Sequence, residues 1–109
     1  MKVYISGPIT DIPDENREAF SQAAATIALL KHEPVNPHDV CADIYEIPRL
    51  ENESEDAYKK RKWRIYMRKN IKALVECDAI HRLPGYEKSK GSKLEIHIAK
   101  ELGFTEVDL

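Results

Sequence analysis

The sequence predicts a three-layer α/β fold, a parallel sheet of four to five strands flanked by helices, and three observations carry that expectation. Short runs closed by glycine or proline, at residues 3–6, 33–37 and 79–83, alternate with longer segments of helical periodicity. Two passages, Tyr4-Ile5-Ser6-Gly7-Pro8-Ile9-Thr10 and Cys77-Asp78-Ala79-Ile80-His81-Arg82-Leu83-Pro84-Gly85, share one grammar, a strand running into a tight glycine-containing loop. In an open parallel sheet, ligands bind outside the carboxyl ends of the strands, so the two loops should converge on one crevice. A chain of 109 residues holds one sheet core and little more, so residues 1–109 are expected to form one domain.

Each element has its own local reason. Residues 3–6 are an apolar run stopped by Gly7-Pro8 and read as a central first strand. After a loop through Pro13, Asp14 is placed to cap a helix on which Phe20, Ala23, Ala24, Ile27 and Leu30 or Lys31 recur at helical spacing. Residues 33–37 are too few for a helix and carry prolines, so they read as a second strand. Residues 38–54, with Asp43, Ile44, Tyr45, Ile47 and Pro48, have no clean period and read as a long loop, a functional lid or a mobile segment. From about 55 to 76 a helix is expected, its apolar face traced by Trp63, Tyr66, Met67, Ile71, Leu74 and Val75. Glu55 and Asp56 stand four residues ahead of Lys59 and Lys60 and reinforce its start. A strand at 79–83 follows, then a helix beginning near 89–92 with Leu94, Ile98, Ala99 and Leu102 as its stripe. Gly103 stops it, and 104–107 form a last strand.

Composition narrows the function classes. Hydrophobic residues at 42% and charged residues at 33% suit a folded globule rather than a disordered chain. A net charge of −2 and a pI near 6.1 provide no global positive field, and the Lys59-Lys60-Arg61-Lys62 run is balanced by acids at 51–56. That run reads as a solvated helix face, and nucleic acid is not expected as a partner. Cys41 and Cys77 match no C-x-x-C pattern, and the chain has neither a signal-peptide pattern nor a run long enough to cross a bilayer. Reduced thiols, a cytoplasmic location and no membrane partner are the expectation. His32, His38, His81 and His97 lack any zinc-binding spacing, so neither a metal nor another cofactor is expected.

Glu95 is the position with the most chemical content. It follows Gly91 at the start of the last helix, where unpaired N–H groups and the macrodipole favour negative charge, and it is expected to be ionised at neutral pH. Taken alone, a glutamate in such a turn is more often a surface residue; beside Gly91 and at the crevice end of the apolar stripe, it reads as a carboxylate able to attack an electrophilic carbon. Tyr4 is either a β-former packing under a helix or a phenol holding Glu95 by a hydrogen bond. Asn70 projects onto the apolar face of the 55–76 helix, where it either bonds neighbouring loop backbone, the commoner case, or reaches the crevice to bind a sugar hydroxyl or a base. Ser6, Gly7 and Thr10 suit phosphate or ribose hydroxyls, although the stretch lacks both the dinucleotide and the P-loop glycine patterns. Arg17 and Ser89 join Ser6 and Thr10 as candidate phosphate ligands.

Three blocks of these residues resemble the nucleoside 2-deoxyribosyltransferase family, in particular its short phage and bacterial members. They are Tyr4-Ile5-Ser6-Gly7-Pro8-Ile9-Thr10 with Asn16-Arg17-x-x-Phe20; Trp63-x-x-Tyr66-Met67-Arg68 running to Cys77-Asp78-Ala79-Ile80; and Leu83-Pro84-Gly85-Tyr86-Glu87-Lys88-Ser89-x-Gly91-x-x-x-Glu95. The resemblance implies a flavodoxin-like fold and cleavage or transfer of the N-glycosidic bond of a (deoxy)nucleoside or its 5'-monophosphate. Glu95 matches the family nucleophile that forms a glycosyl-enzyme intermediate, and Tyr4 the tyrosine that orients it. The loop residues Ser6, Gly7, Pro8, Ile9, Thr10, Pro84, Gly85 and Gly91 fall in the blocks that would surround the substrate. Ser89 falls where many members carry an aspartate that contacts the base, and Asn70 where the family has an aspartate that helps to bind the sugar. An amide hydrogen-bonds a hydroxyl but is no proton-accepting carboxylate, so rate or substrate choice is expected to differ. Family sites are completed across a subunit interface by a carboxyl-terminal segment lying beyond the position of Leu109, which implies a homodimer or higher homo-oligomer. The alternative reading is a non-catalytic nucleotide-binding or sensing module of the same fold.

Overall fold

The computed structural model describes residues 1–44 and 46–109 and is built on four strands, β1 (Lys2–Ser6), β2 (Glu33–Val35), β3 (Ala79–Arg82) and β4 (Thr105–Glu106). They hydrogen-bond in the order β2-β1-β3-β4, with every neighbouring pair parallel. Helices α1 (Arg17–Leu29), α2 (Pro37–Val40), α3 (Glu55–Leu74) and α4 (Lys90–Glu101) and two short 3-10 turns, at Pro13–Asn16 and Tyr86–Lys88, complete the described elements. This is the three-layer, flavodoxin-like α/β arrangement. Tyr45, read above as part of the long loop, lies outside the described residues.

The two-residue period of β1 divides the core. Val3 and Ile5 point to one face, where they pack with Phe20, Ala23 and Ile27 of α1 and with Ala79 and Leu83. Tyr4 points to the other face, with Leu74, Cys77, Ile80 and Ala99. Register keeps neighbours on a common face, Val3 beside Ala79 and Tyr4 beside Ile80. The chain leaves β1 toward β2 on one side and returns to β3 on the other, so the strand order reverses between β1 and β3. That switch point is where a parallel sheet opens a crevice at its carboxyl edge.

Several local expectations are corrected. Asp14 does not cap α1: Asp14, Glu15 and Asn16 form a tight turn with φ of 53°, 54° and 59°, and no side chain caps the helix. Such left-handed backbone costs an ordinary residue about 1–2 kcal/mol. Here it is held by Asn16 Nδ2 donating to the Pro8 carbonyl at 3.0 Å and by His38 Nε2 donating to the Glu15 carbonyl at 2.9 Å. Leu30 lies outside α1 and is 54% exposed, because the helix ends before its stripe can carry that residue onto the sheet. The supposed loop from 38 begins inside α2, capped by Asn36 Oδ1 accepting from the His38 N–H at 3.0 Å.

The described residues of the rest of that segment are tied to α3 at several points. Tyr58 donates to the Ile47 carbonyl, Arg61 pairs with Glu53 at 2.8 Å, and Lys69 pairs with Asp43. Arg61 also pulls the Glu53 carboxyl down to about 2. The start of α3 is capped by Ser54, whose Oγ accepts from the Ala57 N–H at 3.1 Å. Asp56 pairs with Lys60 as expected, whereas Glu55 reaches back to Arg49 instead of forward to Lys59. Val75 falls beyond the end of α3 and is exposed. On α4 the buried residues are Ser92, Glu95 and Ala99, while Leu94 faces outward, because the sheet-facing arc is offset from the leucine stripe, and Leu102 falls just beyond the helix and is exposed.

Candidate active site

The carboxyl ends of β1 and β3 bring the two glycine loops together as expected. The Leu83 N–H donates to the Ser6 carbonyl at 2.8 Å, extending the pairing one residue past β3. A Cβ on Gly7 would sit 2.7 Å from the Leu83 Cβ, so only a residue without a side chain lets the loops close. Pro8 lies against Gly85, whose φ of 89° turns the second loop. Ile9 packs on the α1 side of the core, whereas Thr10 and Pro84 are exposed at the rim.

Helix α4 starts at this edge. Ser89 Oγ accepts from the Ser92 N–H at 3.1 Å and caps it, and Gly91 comes within close contact of Met67 and Trp63 on α3. One turn further, Glu95 points into the sheet. Tyr4 Oη donates to Glu95 Oε2 at 2.6 Å, and Ser6 Oγ donates to Oε1 at 2.8 Å. The three side chains are buried, with Glu95 retaining 5% of its surface. The β period explains the pairing: Tyr4 and Ser6 are two residues apart, hence on the same face.

Electrostatics correct the expected charge of Glu95. It lies in the second turn of α4, past the free N–H groups of the first, so desolvation outweighs the helix end. Burial pushes its carboxyl up from 4.5 to about 7, with the Tyr4 and Ser6 hydrogen bonds limiting the rise. Burial therefore opposes the fully ionised form that the helix position alone suggested. Burial first, and then the Glu95 charge and hydrogen bond, raise the Tyr4 phenol well above its usual value and keep it a donor.

Other expected residues are placed differently. Ser6 is not free for phosphate or ribose, because it is fully buried and spends its hydroxyl hydrogen on Glu95. Arg17 is half exposed and pairs with Glu15 at 3.1 Å and Asp14 at 4.0 Å; no contact ties it to Glu95. Asn70 is buried on α3, but its partner is the Cys41 thiol at 3.2 Å rather than loop backbone. Ser92, one turn before Glu95, keeps a buried hydroxyl without a partner among the described residues. Cys41 and Ser92 were missed by sequence reasoning. The three-residue spacing of Ser92 and Glu95 was the signal available for the serine, whereas Cys41 reaches α3 only through tertiary packing.

Two open hollows lie elsewhere, about 580 Å³ over Ile12, Asn16 and Gln22 and about 320 Å³ over Ile80, Ala99 and Phe104. Neither is lined by Tyr4, Ser6 or Glu95; the buried carboxyl with a hydroxyl hydrogen-bonded to each oxygen marks the candidate site. Among the described residues, no group of three His, Cys, Asp or Glu side chains stands together to hold a metal ion, and no helix is long and apolar enough to cross a membrane.

A protein family described as a domain of unknown function (DUF4406) matches residues 1–107. No curated protein matches the sequence. Among solved structures, the 2-deoxyribosyltransferase of the psychrotolerant bacterium Bacillus psychrosaccharolyticus is similar, with a TM-score of 0.61 at 17% identity over 97% of this chain and 69% of that one. At that identity the likeness is one of fold.

Proposed function

The chain belongs to the DUF4406 family, and we propose that it cleaves or transfers the N-glycosidic bond of a (deoxy)nucleoside or (deoxy)nucleoside 5'-monophosphate. The observation that carries this reading is the buried Glu95 carboxyl held at both oxygens by Tyr4 and Ser6, at the switch point of the sheet. A fold shared with a 2-deoxyribosyltransferase supports it. In the proposed reaction, an ionised Glu95 oxygen attacks the anomeric carbon as the bond to the base breaks. The bonding electrons leave with the base, and the sugar becomes esterified to Glu95. A second base, or water, then attacks the same carbon and returns the carboxylate. A carboxyl titrating near 7 is ionised often enough to react and gains from the negative charge it places beside an oxocarbenium-like transition state.

The test is release of free base from nucleosides and monophosphates, followed by chromatography with and without an added acceptor base. Glu95→Ala is expected to abolish turnover while circular dichroism shows an intact fold; equal activity in the variant overturns the reading. A second reading, a nucleotide-binding or sensing module without turnover, is favoured by the 5% exposure of Glu95 and the prior occupation of both its oxygens. Calorimetric nucleotide binding with no base released over long incubation would select it.

The reading also includes one domain over residues 1–109, a cytoplasmic setting suited to two free thiols, and a homodimer or higher homo-oligomer. A domain this small gains buried surface by association, and Leu94 on α4 and Leu102 just after it stand 37% and 55% exposed. Light scattering at working concentration is expected to return a multiple of 12.5 kDa; a monomer contradicts it.

A further inference from the structure

Asn70 is an amide with two unlike ends, an oxygen that only accepts and a nitrogen that only donates, and a half-turn exchanges them. Among the described residues its hydrogen bond is with Cys41, whose Sγ donates to Oδ1 at 3.2 Å, while Nδ2 makes none. The side chain keeps 6% of its surface. Asn70 shares the buried face of α3 with Met67, whose sulfur would meet a Cβ on Gly91 at 3.1 Å, and with Leu74, which packs with Tyr4, so the amide stands beside the candidate site.

Cys41 is itself held in place. It follows α2, whose start is capped by Asn36, and the next residues are tied to α3 by the Lys69 and Asp43 ion pair. Burial raises the pKa of the thiol despite the nearby Lys69 charge, so it remains S–H at neutral pH.

We propose that Cys41 is a positioning residue: donation of its S–H to Oδ1 holds the Asn70 amide in the one orientation that offers Nδ2–H to a ligand, so the site recognises a hydrogen-bond-accepting oxygen. A carboxylate at position 70, which the family resemblance implies, would instead accept from sugar hydroxyls and repel a phosphate. The proposal rests on the crevice being a nucleoside or nucleotide site. The accepting oxygen belongs to the sugar or to its 5'-phosphate, and the two substrates distinguish these sources.

The experiment compares the full-length chain with Cys41→Ala and Cys41→Ser. The side-chain amide resonances of Asn70, identified by their loss in Asn70→Asp, are followed by nitrogen-15 NMR without substrate, and KM and kcat are measured for a deoxynucleoside and its monophosphate. In Cys41→Ala the Asn70 resonances are expected to shift or broaden, and KM to rise about five-fold with kcat changing less than about two-fold, as loss of one neutral hydrogen bond implies. Cys41→Ser, whose hydroxyl donates to the same oxygen, is expected to restore both. A KM effect confined to the monophosphate assigns the oxygen to phosphate; an effect on both substrates assigns it to the sugar. Unchanged Asn70 resonances in Cys41→Ala, or failure of serine to restore them, overturns the proposal. The NMR arm needs no turnover, so a chain that cleaves neither substrate would sink the proposed function and still test Cys41.

Discussion

Replacing Glu95 by glutamine separates stability from chemistry, because burial makes the ionised form of this side chain expensive. Glu95 is 5% exposed and titrates at about 7 instead of 4.5. The folded chain therefore keeps a proton that the unfolded chain releases between those values. The resulting stabilisation is fully present below about 4.5 and is lost as pH rises through about 7. A rise of about 2.5 units (7 − 4.5), at about 1.4 kcal/mol per unit, sets the loss at about 3 kcal/mol by pH 8.

Glutamine has nearly the same shape and no charge. Its carbonyl accepts from Tyr4, and its amide donates to the Ser6 hydroxyl, which accepts as readily as it donates. Glu95→Gln is therefore expected to be more stable than the parent at pH 8 by up to about 3 kcal/mol, to lose most of that advantage at pH 5, and to lack turnover. Urea unfolding followed by the fluorescence of Trp63, the one tryptophan, measures the difference at each pH. A variant no more stable than the parent at pH 8, or an advantage equal at both pH values, refutes the reasoning that a desolvated carboxylate is held in this fold.

The remaining predictions concern the same edge of the sheet. The Tyr4 hydrogen bond lowers the Glu95 pKa, so Tyr4→Phe should move the acidic limb of the pH–rate profile upward by about 1 unit and reduce base release at neutrality; a limb that stays in place contradicts the assignment. Gly7→Ala should cost about 1–3 kcal/mol in urea unfolding, because its Cβ would meet Leu83 Cβ at 2.7 Å and the loops would have to part. An unchanged unfolding midpoint would mean that the close approach is not needed.

The elements were legible where a local period matched a burial pattern. Val3 and Ile5 against Tyr4, and Phe20, Ala23 and Ile27 on α1, follow from spacing alone. Spacing did less well where a helix carries two competing stripes. On α4 Leu94 outscores Ser92 and Glu95 on hydrophobicity, as does Leu102 just beyond its end, yet the sheet covers the polar pair, because Tyr4 and Ser6 supply the hydrogen bonds that make burying a carboxyl tolerable. The turn before α1 was illegible for another reason. Asp14 has the chemistry of a cap, but the contacts of Asn16 with Pro8 and of His38 with Glu15 select left-handed backbone instead.

The order of strands and helices and the two glycine loops could be reasoned from residue types and periods, since these are properties of neighbours along the chain or of loops that the sheet's topology must bring together, whereas residue types left Tyr4 with two roles and only the family resemblance implied its pairing with Glu95. Tertiary structure alone decided the proton affinity of Glu95, the diversion of Ser6 from substrate to carboxylate and the docking of Cys41 on Asn70. Each depends on desolvation or on a partner distant in sequence, and water is excluded from a side chain only once every layer around it has closed.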